Sequence, residues 1–228
     1  MTTSGTQAFT LDLAELIEEA FEQAGSELRT GYNYRTARRS MDLLFLEWQN
    51  EGINLWTVKS ASQALTANQA TYSLTDDKLD IVEAVLRTDA GSATSQTDLS
   101  MDRISVRDYA HQTNKLQTGR PIKFYVEQSP SGLTLNVWPV PDGAQTYTIF
   151  YYYMARIEDT GKPGSNTVDI PDRFLPALAA GLAYKLSLKL PGGLDRAPAL
   201  KTIYDGVFKA AADSAREKAV IRLVPGGY

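Results

Sequence analysis

The spacing of apolar residues changes twice along this chain of 228 residues, and the change constrains the fold more than any other feature. Near both ends, apolar residues recur every three or four positions, which is the period of an amphipathic helix. The middle consists of short β-rich runs broken by Gly, Pro, Asp and Ser. The pattern predicts an α+β fold: N- and C-terminal amphipathic helices form a helical part, and the centre forms an antiparallel β-sheet or small β-sandwich.

These changes of period predict four regions. Residues 10–52 are expected to form an N-terminal helical hairpin and residues 53–165 a β-rich domain. Residues 166–220 are expected to form C-terminal helices that pack with the N-terminal helices, and residues 221–228 to form a tail.

The N-terminal region predicts two helices. The first is expected over residues 10–24 with Thr10 as its N-cap, and the second over residues 34–51. Leu43 and Leu46 broaden the apolar stripe of the second helix. A stripe this broad requires two packing partners, so this helix is either central in its own fold or shared with a neighbouring subunit.

The middle of the chain predicts a meander of strands. The β-rich runs are residues 55–58, 71–74, 81–87, 122–127, 133–138 and 146–156. Turn residues between the last three runs favour local antiparallel pairing. The polar connections 60–70 and 89–99 are too long for hairpin turns and are expected to be mobile loops or loops ordered by a partner. Residues 105–112 are expected to form one or two helical turns.

The C-terminal region predicts two more helices. The first follows Asp172 as N-cap, tolerates Pro176 in its first turn and stops at Pro191. The last covers residues 197–220, and its apolar continuation at residues 221–228 has no cap.

Composition excludes much enzyme chemistry. Because the chain has no cysteine, disulfides, thiolate zinc sites and cysteine nucleophiles are excluded. Because it has one histidine, His111, most histidine-based metal sites are excluded as well. No catalytic, cofactor-binding or metal-binding residue is expected. The 23 basic and 27 acidic residues give a net charge of −4, so nothing in the overall charge attracts DNA or anionic membranes. No run is long and apolar enough to span a bilayer, and no export signal is expected.

The run of aromatic residues at 146–154 has two apolar faces. Tyr151 and Tyr153 lie on one face of the predicted strand, and Phe150 and Tyr152 on the other. Two interpretations stay open: a central strand between two layers, or a subunit interface that uses the mixed character of tyrosine.

Three arginines form a local basic stripe on the second helix. Arg35, Arg38 and Arg39 have the spacing of one helical face. They form either a solvated face paired with nearby carboxylates or a docking surface for an acidic protein partner. Together with Tyr151 and Tyr153 they are our candidates for a subunit interface.

Several segments in a fixed order resemble one protein family. They are NEGINLWTV at 50–58, LTA at 65–67, TYSL at 71–74, GRP at 119–121, LNVWPVPD at 135–142 and DIPDRFLPAL at 169–178. Over residues 11–220 the chain resembles the head-to-tail adaptor proteins of short-tailed bacteriophages, the group that includes tail tubular protein A. It departs from the group mainly in length, at the loop 89–99 and at the end of the chain.

The resemblance implies a structural protein of the virion neck, assembled in the host cytoplasm. Members of the group form a homo-oligomeric ring, usually of twelve copies, beneath the portal protein, and they support the tail nozzle. The ring extends the DNA channel for genome retention and ejection, and DNA passes without specific binding. No cofactor and no membrane are implied.

The charge and apolar patterns, taken together with this resemblance, suggest roles for two sets of residues. The acidic face of the first helix is expected to face the channel and comprises Glu15, Glu18, Glu19 and Glu22. The tail is expected to contact the portal through Ile221, Arg222, Leu223 and Val224. Two functions from other classes stay open: a tail-associated hydrolase of cell wall or polysaccharide, and a glycan-binding tail module that uses surface tyrosines and tryptophans.

Overall fold

The computed structural model describes residues 12–27, 31–51, 55–129, 132–160 and 168–215. The chain divides into two compact units. A helical unit contains the residues up to Leu55 and those from Ile157 onward, and a β-rich unit contains Trp56–Arg156. The sequence placed the limits of the β-rich part at residues 53 and 165. The predicted α+β fold is confirmed.

Five α-helices are described. They are α1 (Leu13–Gln23), α2 (Gly31–Asn50), α3 (Val106–Ala110), α4 (Leu175–Ser187) and α5 (Ala197–Ser214). No helix within the described ranges combines the length and the apolar character that crossing a membrane requires.

The helix ends correct several predictions. The N-cap of α1 is Asp12, since its Oδ1 accepts a hydrogen bond of 2.8 Å from the backbone of Glu15, whose side chain accepts one from the Asp12 backbone. Thr10 lies outside the described residues. Helix α2 begins three residues earlier than predicted, and Asp172 opens a short 3-10 turn, so α4 begins only at Leu175. Pro176 lies in the first turn of α4, as predicted.

Helix α4 is the centre of the helical unit. Helices α1, α2 and α5 all pack against it, and nearly all of its residues are buried. Small residues allow this close packing: a Cβ added at Gly181 would lie 2.9 Å from both Leu44 Cδ2 of α2 and Tyr204 Cε2 of α5.

Trp48 of α2 joins the helices at the core. Its side chain is 0% exposed, and its ring lies 5.7 Å from that of Phe174 and 5.4 Å from that of Phe208. The indole Nε1 donates a hydrogen bond of 2.9 Å to Tyr204 Oη. The one polar atom of this side chain is therefore satisfied inside an apolar cluster.

The strands of the β-rich unit form three sheets. One has the order β1 (Val58–Ala64), β10 (Tyr147–Ala155), β3 (Lys78–Thr88), β4 (Thr97–Ser100). The second has the order β2 (Thr71–Ser73), β8 (Gly132–Trp138), β7 (Lys123–Ser129), β5 (Asp102–Arg103). The third pairs β6 (Thr118–Gly119) with β9 (Val140–Pro141). The two four-stranded sheets contribute to one hydrophobic core.

The topology corrects the predicted meander. Strands β7 and β8 pair as neighbours, but β10 leaves that sheet and pairs with β1 and β3. The short parallel pairs β5–β7 and β6–β9 also depart from a purely antiparallel arrangement. Turn chemistry indicates where the chain reverses and does not specify which sheet the next strand joins.

Parts of the two segments predicted as long loops, 60–70 and 89–99, are strands in the structure. Residues 60–64, expected in a loop, continue β1, and Ala61 packs on the core opposite Tyr151. Residues 97–99 of the second loop belong to β4. Polar residues form these strands because β1 and β4 lie at the edges of their sheet, where only one side of each strand must be buried. The helical turn predicted within 105–112 is α3.

We predict that Tyr204→Phe destabilises the helical unit by about 1–3 kcal/mol, because Trp48 Nε1 would remain buried without an acceptor. Urea denaturation followed by far-ultraviolet circular dichroism measures the effect. Tyr184→Phe is the matched control, since the Tyr184 hydroxyl forms no hydrogen bond with the described residues and the ring beneath Lys201 is kept. Equal losses in the two variants would contradict the prediction.

A pair of glycine substitutions tests the packing at α4. Gly181→Ala is expected to lower the free energy of unfolding by about 1–3 kcal/mol, because its new methyl group overpacks the contact with α2 and α5. Gly206→Ala on α5 is expected to raise it by up to about 1 kcal/mol, because alanine favours helix and no atom lies within 4 Å of the new methyl group. A denaturant midpoint for Gly181→Ala that rises together with that of Gly206→Ala would show that α4 is not tightly packed at Gly181.

Candidate interaction surfaces

The acidic face of α1 is exposed along its length. Glu15, Glu18, Glu19 and Glu22 are all exposed, while the opposite side of the helix is buried. Burial and the nearby charges of Glu18 and Asp12 raise the pKa of Tyr34. This surface therefore has a negative potential.

The basic stripe of α2 is also exposed. Arg35 and Arg39 are exposed and Arg38 is half-buried, and none of the three pairs with a carboxylate among the described residues. Burial, followed by the charges of Arg39 and Lys185, lowers the pKa of Lys189. The stripe is thus a region of positive potential, because the described residues of the pocket that the three arginines line include a single carboxylate, that of Asp42.

Two leucines extend this stripe into the C-terminal half of α2. Leu43 and Leu46 are 55% and 54% exposed, although the buried side of the same helix reaches the core through Leu44 and Trp48. We call the exposed side of α2 the arginine–leucine face; it comprises Arg35, Arg38, Arg39, Leu43 and Leu46. A row of cations beside exposed leucines is a composition typical of protein interfaces.

An apolar groove lies on another side of the helical unit. This groove, the α1–α4–α5 groove, has a volume of about 600 Å³. Its apolar lining comprises Leu175, Pro176, Ala179, Ala180, Leu200, Ile203 and Val207. Glu19 and Gln23 of α1 form its polar rim, and Ile203 is 54% exposed.

The sequence did not reveal the groove. Its walls come from helices that are far apart in the chain, and the alanines of α4 have no distinctive pattern. One signal was present: Leu200, Ile203 and Val207 have helical spacing and form a second apolar row beside Tyr204 and Phe208 of α5.

Tyr151 and Tyr153 are core residues, which corrects their assignment to a subunit interface. They are 2% and 7% exposed and lie between the two four-stranded sheets. Burial, with Tyr153 and Asp77 nearby, raises the pKa of Tyr151 to about 12. The interpretation of a central strand between two layers accounts for both rings.

The other face of β10 is the one that reaches solvent. Tyr152 is 48% exposed, and its ring lies 5.6 Å from that of Phe150. The Arg87 guanidinium lies 4.6 Å from the centre of the Phe150 ring and donates two hydrogen bonds of 2.8 Å to Asp98. These hydrogen bonds lower the pKa of Asp98. This face combines aromatic rings with a satisfied ion pair and is a second candidate surface for protein contact.

The single histidine and clustered carboxylates are the remaining candidates for metal or acid–base chemistry. His111 is exposed and caps the C-terminal end of α3. No group of three or more His, Cys, Asp or Glu side chains that suits a metal ion occurs in the described ranges. The predicted portal-contact residues Ile221, Arg222, Leu223 and Val224, like the rest of the chain after Ala215, lie outside those ranges.

Comparison with known proteins identifies the family. A family model described as SU10 adaptor protein matches residues 11–223, which extend through both compact units. No curated protein matches the chain at a significant level. The resemblance to phage head-to-tail adaptors is confirmed. The chain belongs to the SU10 adaptor protein family, a family of phage head–tail adaptors.

Proposed function

We propose that this chain is a non-catalytic ring component of the virion neck, located between the portal and the tail nozzle. Identical copies, twelve in the adaptors that the sequence resembles, assemble in the host cytoplasm into a ring that extends the DNA channel. The observation that carries the proposal is the match to the adaptor family over residues 11–223.

The exposed surfaces of the subunit support a ring. A cyclic ring of identical subunits uses heterologous contacts, in which two different patches of each copy meet. The helical unit has two dissimilar exposed surfaces, the arginine–leucine face and the α1–α4–α5 groove. The arginine–leucine face exposes Leu43 and Leu46, and the groove exposes Ile203 above a floor of core residues such as Leu175 and Leu200.

The charge of the chain suits a channel through which DNA slides. Each copy carries a net charge of −4, and a ring multiplies this charge around the lumen. Negative walls repel the phosphate backbone and disfavour the counterion release that drives DNA binding. DNA is therefore expected to pass without being held.

Contact with the portal is assigned to the end of the chain. The segment Ile221–Val224 is mainly apolar and follows a helix that is described as far as Ser214. Apolar chain ends are generally ordered by docking on a partner.

Electron microscopy of the purified chain mixed with its cognate portal tests the proposal. The expected result is a ring of this chain stacked coaxially on one end of the portal. A chain that stays monomeric in the mixture, or that occurs elsewhere than the neck in intact virions, would contradict the proposal.

Truncation after Ala219 is expected to abolish co-sedimentation with portal rings, because the proposed apolar contact is removed. The matched control replaces Arg222 alone with Ser in the full-length chain and keeps every apolar residue of the segment; it should retain most of the binding. Circular dichroism verifies that the truncated chain is folded. Undiminished portal binding by the truncated chain would show that the tail is not part of the interface with the portal.

A further inference from the structure

The arginine–leucine face and the α1–α4–α5 groove are separate surfaces of the helical unit. On α2, Leu44 contacts the position of Gly181 on α4, and Leu46 lies about 200° further around the helix. On α4, Ala179 of the groove lies about 200° from Gly181. Leu46 therefore points away from α4, whereas Arg39 and Leu43 lie beside the C-terminal end of α4, where they line a pocket with Leu186. The groove is lined by other residues, so the two surfaces are distinct.

The two surfaces are complementary in polarity. The arginine–leucine face presents three guanidinium groups, with the carboxylate of Asp42 beside them, next to exposed leucines. The groove presents an apolar floor next to the carboxylate of Glu19, and the acidic face of α1 continues from that rim through Glu15 and Glu22. Both surfaces thus combine one strip of charge with one strip of apolar side chains, and the two charges have opposite sign.

We infer that the arginine–leucine face of one copy docks on the α1–α4–α5 groove of the next copy. Leu43 and Leu46 enter the groove against Ile203, while Arg35 and Arg39 pair with the carboxylates of α1. This inference rests on the proposed ring, and it names the contact that closes it.

The same charges disfavour the other pairings of these surfaces. Two arginine–leucine faces would bring cations together, and two groove rims would bring carboxylates together, so a two-fold contact through either surface alone is repulsive. A head-to-tail contact between two different surfaces of a subunit repeats from copy to copy, and it closes when the rotation per copy divides a full turn.

The inference changes the role of the acidic face. The sequence suggested that Glu15, Glu18, Glu19 and Glu22 face the channel. In the docked arrangement Glu19 and its neighbours instead contact the arginines of the adjacent copy. Reversing their charges should then affect assembly of the ring before it affects movement of DNA.

Charge exchange tests the contact in the full-length chain with its portal. The variant Arg35→Glu/Arg39→Glu and the variant Glu19→Lys/Glu22→Lys are each expected to lose ring formation in electron microscopy and sedimentation. Glu15 is left unchanged because it belongs to the capping box of α1. The chain that combines all four substitutions, and the equimolar mixture of the two double variants, are expected to form rings again, since each contact then joins opposite charges.

Two further variants isolate the charge and apolar contributions. The control Arg107→Glu/Lys209→Glu changes the net charge by the same amount as the arginine variant, at exposed positions outside both surfaces, and should assemble normally. Leu46→Ser replaces an exposed leucine, so the fold is expected to stay unchanged. The concentration of chain needed for half-maximal ring formation should rise about tenfold or more.

The outcomes distinguish this inference from the proposed function. If the wild-type chain forms no ring with the portal, both are overturned. Two results would overturn only the docking of these two surfaces. In the first, the wild type and both double variants form rings equally well. In the second, the double variants form no rings and the chain that combines all four substitutions does not regain ring formation. Rings that form normally from Glu19→Lys/Glu22→Lys but slow DNA ejection in virions would instead place those carboxylates at the channel.

Discussion

Close packing around α4 is the constraint on which the helical unit depends. Three helices reach this one helix, and they approach it closely because Gly181 and several alanines occupy the contacts. Trp48 then fills the space between α2, α5 and the turn before α4, and its only donor is satisfied by Tyr204. Since α1 and α2 precede the β-rich unit in the chain and α4 and α5 follow it, the helical unit forms only when the two ends of the chain meet.

Strand β10 has the corresponding role in the β-rich unit. It lies between β1 and β3, and its buried tyrosines and isoleucine face the second sheet. Its exposed face carries Tyr152, beside Phe150 and the paired Arg87. A strand with two apolar faces thus has one face committed to the core and the other available at the surface.

The separation of charge on the helical unit links structure to function. Carboxylates occupy the outer side of α1 and arginines the outer side of α2, each beside exposed apolar groups, and the arginines have no carboxylate partner among the described residues. In a solitary subunit such surfaces contribute little stability, because solvent screens isolated charges. In an adaptor that works as one of many copies, the same surfaces supply both attraction between neighbours and selection against wrong pairings.

The sequence by itself determined the α+β class, which parts of the chain are helical and which are β-rich, the acidic and basic faces and the family. Those properties are local, since periodicity and charge are read from neighbouring residues. Only the tertiary structure decided that Tyr151 and Tyr153 are buried, that β10 joins β1 and β3, and that α1, α4 and α5 enclose a groove. Burial depends on which distant segment packs on a surface, and two apolar faces of one strand are equivalent until that segment is in place.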